Sequence, residues 1–300
     1  MTTGIVPDTP AIPAAKREVL QRAVAALSGV PGVVAVVLGG SYARGTQHAA
    51  SDLDLGLYYS AGAPFAIAAI RNIAASLAVK GELPVVTEFY EWGPWVNGGA
   101  WIHTAAGKVD FIYREVEHVE RTIREAQQGV HAHHYAQQPA FGFYSVTYLA
   151  ETDICMPLFD PAGIVARLKR EVATYPPQLR RALVADYLWS AEFTLIFARG
   201  RASAGDVYAT AGCLTRIAAS LTQALYAINE RYFIADKGAL DALGQFERCP
   251  RDYAVRLTRI LSHPGAASAE LQTAVDDIAK LWREVVALTG GEYAAKYAIA

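Results

Sequence analysis

The sequence is poor in cysteine and contains no long uninterrupted apolar run. Its three cysteines, Cys155, Cys213 and Cys249, are far apart and form no C-x-x-C pair. They exclude a disulfide framework and favour reduced thiols in a cytoplasmic protein. The most apolar window, residues 23–40, is interrupted by glycine and proline and therefore predicts no membrane span. The first residues lack the basic start and apolar run of a signal peptide, and residues 1–10 predict a loose tail.

The chain also has no strong excess of acidic or basic residues. The net charge is −2, and no run of lysine and arginine is longer than two, which argues against a broad nucleic-acid-binding surface. Residues 1–160 carry 10 basic and 15 acidic side chains, whereas residues 161–300 carry 17 and 14. Hydrophobic residues make up 53% of the chain and charged residues 19%, so a folded, well-packed protein is expected.

The chain changes character about half-way along. Residues 33–38, VVAVVL, form an apolar run typical of a strand buried on both faces, and residues 85–92 and 108–113 predict further strands. The later part consists of helical segments separated by proline and glycine. Because 300 residues exceed what one core usually holds, we expect two domains. They are an α/β (α+β) domain over residues 1–160 and an all-α helical bundle over residues 161–300.

Two aspartates lie two residues apart on a predicted strand. Asp52 and Asp54 share one face, while the alternating leucines of residues 53–57 occupy the other. Two neighbouring carboxylates repel each other unless a cation lies between them, and Mg²⁺ is a hard cation that prefers such oxygen ligands. A calcium-binding EF-hand is excluded, because Gly56 and Ala63 stand where that loop needs an oxygen ligand and a glutamate.

A glycine turn precedes these aspartates. Gly39 and Gly40 end the buried strand, and glycine lets backbone approach an anion closely. Ser41 adds a hydroxyl donor, and Arg44 adds a guanidinium suited to phosphate. The segment is not a Walker loop, because it lacks the Gly-Lys-Ser/Thr ending, and it contains no G-x-G-x-x-G dinucleotide-binding fingerprint.

The buried strand, the Gly-Gly-Ser turn and the Asp-x-Asp on the next strand resemble the DNA polymerase β nucleotidyltransferase superfamily. Within it, the plan of a helical second half is similar to that of aminoglycoside and lincosamide nucleotidyltransferases, in which the acceptor binds between the two domains. The local motif covers about thirty residues. Its residues in this sequence are Gly39, Gly40, Ser41, Arg44, Gly45, Asp52 and Asp54.

That superfamily uses a third carboxylate on a later strand, and Asp110 in KVDFIY is the candidate. Its neighbours Val109 and Phe111 point to the opposite face of the strand. Glu88 and Glu91, on the preceding predicted strand, are the alternatives. We prefer Asp110 because the family pattern places the carboxylate in an apolar strand of this kind.

The resemblance implies a two-metal site with catalytic aspartates. Asp52 and Asp54 would hold the ion that bridges the triphosphate, and Asp110 would join them at a second ion. Two Mg²⁺ ions are therefore expected as cofactors, with ATP or another NTP as donor. The resemblance also implies a mixed sheet in the first domain and substrate binding by the helical one.

The nucleotide-binding residues implied by the resemblance are Gly39, Gly40, Ser41, Arg44 and Lys237. The turn would hold the β- and γ-phosphates, with Arg44 either contacting phosphate or bracing the turn through a salt bridge. Lys237, in ADKGAL, is similar to a lysine at a helix start in the helical domain of streptomycin-type adenylyltransferases. A solvated surface lysine is the alternative interpretation.

A histidine cluster has the composition of a metal site. It consists of His131, His133 and His134. No cysteine or acidic residue accompanies them at ligand spacing, so a solvated loop is the preferred interpretation.

The function implied is transfer of a nucleoside monophosphate, first AMP from ATP, to a hydroxyl of a small molecule such as an antibiotic, with release of pyrophosphate. The alternative is a toxin–antitoxin-type enzyme that modifies a partner protein or tRNA. A third hypothesis is a non-catalytic nucleotide sensor, which the presence of all three aspartates disfavours. The sequence leaves the acceptor, the preferred nucleotide and the oligomeric state open.

Overall fold

The structure is a computed structural model of the chain, and it describes residues 12–297. The tail predicted over residues 1–10 lies outside them. In chain order, the helices and strands are α1 (Ala14–Leu27), β1 (Ala35–Leu38), α2 (Gly40–Arg44), β2 (Leu53–Tyr59), α3 (Ile67–Leu77), β3 (Val85–Val86), β4 (Gly99–Thr104), β5 (Gly107–Glu115), α4 (Val116–Gln127), β6 (His133–His134), β7 (Phe143–Tyr144), α5 (Val146–Ile154), β8 (Met156–Phe159), α6 (Ile164–Val172), α7 (Pro177–Ser203), α8 (Val207–Ile228), α9 (Ala239–Leu243), α10 (Tyr253–Ser262) and α11 (Ser268–Leu288).

The chain divides into two compact units that are not continuous in sequence. The described part of the first unit comprises residues 12–124, 134–137 and 148–174. The second comprises residues 125–133, 138–147 and 175–297. The domain boundary at residue 160 stays a prediction. In the described part of the chain, no helix is both long and apolar enough to cross a membrane.

The first unit is built on a six-stranded sheet with the order β3-β4-β5-β2-β1-β8. Strands β2 and β5 pair in parallel, and the other neighbours pair antiparallel. The predicted mixed sheet is therefore confirmed. Parallel neighbours need a long crossover connection, and here α3, β3 and β4 lie between the two strands in the sequence.

The core of this unit consists of apolar side chains from the central strands and the helices that pack on them. All four residues of β1 are buried, as expected for a valine-rich strand between two neighbours. In β2, Leu53, Leu55 and Leu57 are buried, whereas Asp54 and Gly56 are only half-buried. Burial of each leucine stabilises the fold by about 2 kcal/mol, so the sheet register is fixed and the aspartates are held on the opposite face.

The strand predicted over residues 85–92 is wrong beyond Val86. The chain turns instead at Tyr90 and Gly93, which have φ angles of 59° and 108°. Glu88 and Glu91, the alternatives to Asp110, therefore lie in the irregular segment that follows β3 and not on a strand. The error has a local cause, since the alternating apolar and aromatic residues favour a strand while Gly93-Pro94 favours a turn.

The second unit contains the helices α7 to α11, and α7 packs against both α8 and α11. This helical part confirms the predicted all-α character of the later chain. Helix α8 begins after Asp206, whose carboxylate accepts a hydrogen bond from the Ala209 N–H at 2.9 Å. Helix α9 begins at Ala239 and not at Lys237, because Gly238 adopts a left-handed conformation with φ 77°. Lys237 thus lies in the preceding turn.

Glu192 is a fully buried carboxylate on α7. It accepts hydrogen bonds from the Tyr293 hydroxyl at 2.5 Å and from the backbone N–H groups of Lys296 and Tyr297 at 2.7 and 2.6 Å. Three donors compensate the cost of removing this group from water. Glu192 therefore fixes the segment that follows α11 onto α7.

Candidate active site

The parallel pairing of β2 and β5 brings the predicted carboxylates together. Asp54 is the direct register partner of Asp110, and Asp52 immediately precedes β2. Neighbouring strands lie about 4.8 Å apart, so the Asp54 and Asp110 side chains lie next to each other on one face. Asp110 is buried, while Asp52 and Asp54 are half-buried.

Lys108 completes this group, and the sequence reasoning missed it. Its ammonium nitrogen lies 2.8 Å from Asp110 Oδ2 and 3.6 Å from Asp52 Oδ2. Desolvation lowers the pKa of Lys108, but the hydrogen bond with Asp110 and the charges of Asp110 and Asp52 outweigh it, so the pKa is raised. The signal was present in KVDFIY, because residues two apart on a strand share a face.

Asp54 and Asp110 hold their protons more tightly than usual. Burial raises the pKa of Asp54 to about 6, with further increases from the negative charges of Asp110 and Asp52. Burial also raises the pKa of Asp110, although Lys108 opposes the shift. In the ionised state these carboxylates therefore repel one another, and Lys108 relieves only part of that repulsion.

Two carboxylates in this group have oxygen atoms without a partner. Within residues 12–297, the Asp54 carboxylate makes no hydrogen bond or ion pair, and Asp110 Oδ1 is buried without a hydrogen-bond partner. No set of three histidine, cysteine or acidic side chains in that range is already gathered as a metal-binding cluster. The free oxygens and the raised pKa values nevertheless fit a hard divalent cation, which takes carboxylate ligands and favours their ionised form.

The glycine turn lies against Asp54. The Gly39 N–H donates a hydrogen bond to the Asp54 backbone carbonyl at 2.8 Å. Gly40 has a φ of 58°, and a Cβ atom there would lie 1.7 Å from Asp54 Oδ2. Only glycine is compatible with both conditions.

The turn leaves other donors available. The backbone N–H groups of Gly40 and Ser41, at the start of α2, have no hydrogen-bond partner among the described residues, whereas that of Gly39 is engaged. Ser41 is half-exposed. Arg44 is exposed and makes no ion pair within residues 12–297, so no partner is present there for the salt bridge considered above.

Lys16 positions the segment that leads into Asp52. This buried side chain donates hydrogen bonds to the carbonyls of Ser51 and Ala49 at 2.5 and 3.1 Å. These two hydrogen bonds compensate the ammonium group for its loss of contact with water, so that it is tolerated in the interior. No local sequence pattern indicates this contact, because 35 residues separate Lys16 from Ser51.

Other predicted residues lie outside this group. Lys237 is exposed in the second unit. In the first unit, Glu88 pairs with Arg71, and Glu91 accepts a hydrogen bond from the Glu88 N–H at 2.7 Å. Both glutamates are therefore engaged away from the aspartates.

The histidine cluster consists of separate contacts. His131 Nε2 lies 2.9 Å from Asp186 Oδ2, while His133 stacks on Tyr144, with ring centroids 4.2 Å apart. The described residues form no metal cluster here either. His131 and His133 therefore have structural partners within the second unit.

Residues 17–94 match the family model described as a nucleotidyltransferase domain. The chain contains a polymerase β-type nucleotidyltransferase domain. The predicted superfamily and the predicted enzyme class, a nucleotidyltransferase, are thereby confirmed. The matched range of this nucleotidyltransferase includes the glycine turn and the Asp52/Asp54 pair, and Asp110 follows it in the sequence.

Residues 144–238 of the nucleotidyltransferase match a second family model, described as a domain of unknown function (DUF4037). No curated protein matches the chain. Among solved structures, the chain is similar to the crystal structure of a nucleotidyltransferase-like protein from Exiguobacterium sibiricum 255-15. The two share 10% sequence identity with a TM-score of 0.44, over 89% of this chain and 74% of that one.

Proposed function

We propose that this nucleotidyltransferase uses Mg²⁺ to transfer AMP from ATP to a hydroxyl group of a small molecule. The observation that carries the proposal is the pairing of Asp54 with Asp110 across parallel strands, with Asp52 beside them. This pairing lies against the Gly39-Gly40 turn. A triphosphate donor needs both features, a carboxylate group for the cation and backbone donors for phosphate.

On the donor side, Asp52, Asp54 and Asp110 are the proposed catalytic residues and metal ligands. A bound Mg²⁺ supplies positive charge that neutralises the triphosphate and polarises the α-phosphorus. The free N–H groups of Gly40 and Ser41 would bind the β- and γ-phosphates.

Four further contacts complete the proposed nucleotide site. Gly39 allows close approach of the backbone to phosphate, and the hydroxyl of Ser41 donates to it. Arg44, which has no ion-pair partner in residues 12–297, is free to contact a phosphate oxygen. Lys237 is proposed as a contact from the helical part of the chain.

In the proposed reaction, the acceptor hydroxyl attacks the α-phosphorus in line. A new oxygen–phosphorus bond forms, the bond between the α-phosphorus and the bridging oxygen breaks, and pyrophosphate leaves. The proton of the hydroxyl passes to the Asp110 carboxylate, which lies beside Asp54 in the same group. The protein contributes mainly by positioning and by neutralising charge.

A small-molecule acceptor is supported by a cavity within the second unit. The cavity has a volume of about 140 Å³ and is lined by apolar side chains that include Phe141, Tyr144 and Leu257, together with Asp236 and Gln223. A cavity of about 150 Å³ accommodates a benzene-sized group. Such a space fits one ring of a small molecule, and Asp236 would attract an amine on it.

We assign nucleotidyl transfer to residues 1–160, and binding of the acceptor to residues 161–300 together with Phe141 and Tyr144 of the cavity. We expect both to act in the cytoplasm, as a monomer or an oligomer. Replacing Ala219, which lines the cavity, with Trp should raise the KM for a small-molecule acceptor without changing the KM for ATP. A Val255→Trp variant, at an exposed position on α10, is the matched control.

The test of the whole proposal is a transfer assay with Mg²⁺ and α-labelled ATP, CTP, GTP or UTP. Antibiotics, tRNA and cell lysate serve as acceptors in separate mixtures. Label in a small molecule supports the proposal, whereas label in RNA or a protein band supports the toxin–antitoxin alternative. Nucleotide binding without any transfer would identify a sensor instead.

A further inference from the structure

The Lys108 ammonium lies between two of the three proposed metal ligands. Its nitrogen is 2.8 Å from Asp110 Oδ2 and 3.6 Å from Asp52 Oδ2. We infer that Lys108 takes the place of one metal ion, so that this chain binds a single divalent cation where the resemblance implies two. The inference rests on the proposed nucleotidyl transfer at the same site.

The sheet register holds Lys108 in this position. Asp52 immediately precedes Leu53, and Lys108 immediately precedes Val109, the residue paired with Leu53. Both side chains lie on the face that carries Asp110. The Lys108 side chain is only 33% exposed, and it contacts two carboxylates at once. Lys108 is therefore a fixed part of the group and differs from a solvated surface lysine.

The distribution of oxygen donors favours one ion. A second ion held by Asp52 and Asp110 would compete with the ammonium, which already faces the Oδ2 atom of each. The Asp54 carboxylate and Asp110 Oδ1 remain without partners among residues 12–297. These oxygens suffice for one Mg²⁺, which usually takes one or two carboxylates and completes its shell with water and phosphate.

The charge balance leads to the same conclusion. The three aspartates carry three negative charges when ionised, and Lys108 with one divalent cation carries three positive charges. Carboxylates at this spacing need a compensating cation to remain ionised. With a lysine present, one divalent ion completes that compensation before the nucleotide binds.

The deciding experiment counts bound Mn²⁺ by electron paramagnetic resonance, with Mn²⁺ as the only added ligand. The wild-type protein should bind one Mn²⁺ per chain. Lys108→Met should bind a second ion, and its spectrum should show the spin coupling of two ions about 4 Å apart. Lys108→Arg keeps the charge and should match the wild type, while circular dichroism verifies that each variant is folded.

Other outcomes overturn the inference. Two Mn²⁺ ions in the wild type, an unchanged count in Lys108→Met, or no Mn²⁺ in either protein would each exclude the role assigned to Lys108. Labelled-nucleotide transfer is measured on the same preparations. Transfer together with two ions in the wild type would support the proposed function and contradict only the role assigned to Lys108. One ion in the wild type, two in Lys108→Met and no transfer to any acceptor would support the role of Lys108 and contradict the proposed function.

Discussion

In the second compact unit, the fully buried Glu192 accepts three hydrogen bonds. In the first, the half-buried Asp54 accepts none from the side chains or backbone of residues 12–297. Both are carboxylates held by regular secondary structure. Glu192 is compensated within the fold and stabilises it, whereas Asp54 remains uncompensated and is available to a ligand. This contrast distinguishes a structural acid from the acid that we propose to act in the site, without reference to any relative.

The largest effect is expected when the uncompensated acid is removed. Asp54→Asn should lower the rate of transfer by about 1,000-fold, because a charged group acting on the transition state is lost. Its free energy of unfolding at neutral pH should stay equal to that of the wild type or exceed it, because repulsion from Asp52 and Asp110 is relieved. Single-turnover assays and urea unfolding measure the two quantities, and substantial activity in this variant would contradict the metal assignment.

Gly40→Ala tests whether Asp54 must be placed accurately. The added methyl group would lie 1.7 Å from Asp54 Oδ2, so the carboxylate must shift, and we expect transfer to fall by about 100-fold. Gly45→Ala is the matched control, because Gly45 also has a positive φ of 70° but nothing within 4 Å of the added atom. Equal losses of transfer in both variants would indicate backbone strain and not displacement of Asp54.

Removing the compensated acid should have the opposite pattern. Glu192→Ala leaves the buried Tyr293 hydroxyl and two part-buried backbone N–H groups without their acceptor and should lower the free energy of unfolding by about 4 kcal/mol. Glu192→Gln keeps the volume and an acceptor oxygen, so its loss should be smaller. Transfer per folded molecule should not change, as measured at a temperature where both variants remain folded. A loss of catalytic rate without a loss of stability would contradict the purely structural role of Glu192.

The smallest effect concerns pH. The pKa of Asp54 rises from 3.8 to about 6 in the folded protein, so the folded state binds this proton more tightly than the unfolded state. The resulting stabilisation is fully present below pH 3.8 and is lost as pH rises through about 6. Allowing for partial exposure, it amounts to about 2 kcal/mol.

The measurement is urea unfolding of the wild type and of Asp54→Asn at pH 4.5 and pH 7.5. Across this interval, the wild type should lose more stability than the variant, because the variant lacks the titrating group. Asp110 also has a raised pKa and titrates in both proteins, and its charge interacts with that of Asp54, so the difference between the two profiles reports Asp54 together with this interaction. Parallel pH profiles for the two proteins would argue against the raised pKa of Asp54.

Local patterns in the sequence were sufficient for part of this site. The two-residue spacing predicted that Asp52 and Asp54 share a face, and the glycine pair predicted a turn. The pairing of Asp54 with Asp110 could not be derived in this way, because a parallel register between strands more than fifty residues apart depends on the packing of the whole sheet. The choice of Asp110 over Glu88 and Glu91 came from the resemblance and stays a prediction about function.

Other features were beyond the sequence for different reasons. Lys108 lies two positions before Asp110, so the strand periodicity places both on one face, but a lone basic residue in a strand has no motif that indicates a role. The contacts of Lys16 and Glu192 join residues 35 and about 100 positions apart, so no local pattern indicates them. In residues 85–92, turn chemistry prevailed over apolar alternation, and the predicted strand ended after Val86.

Gly39 and Gly40 both contact Asp54. The N–H of Gly39 bonds to the backbone carbonyl of Asp54, and Gly40 lies against the Asp54 carboxylate. If Asp54 is the metal ligand that we propose, a phosphate that moves the turn must also move this ligand, and a cation that draws the carboxylate must move the turn. The two binding equilibria are linked, and each ligand should change the affinity of the other by the same factor. Nucleotide and cation would then enter as cooperative partners, with their coupling transmitted through one aspartate.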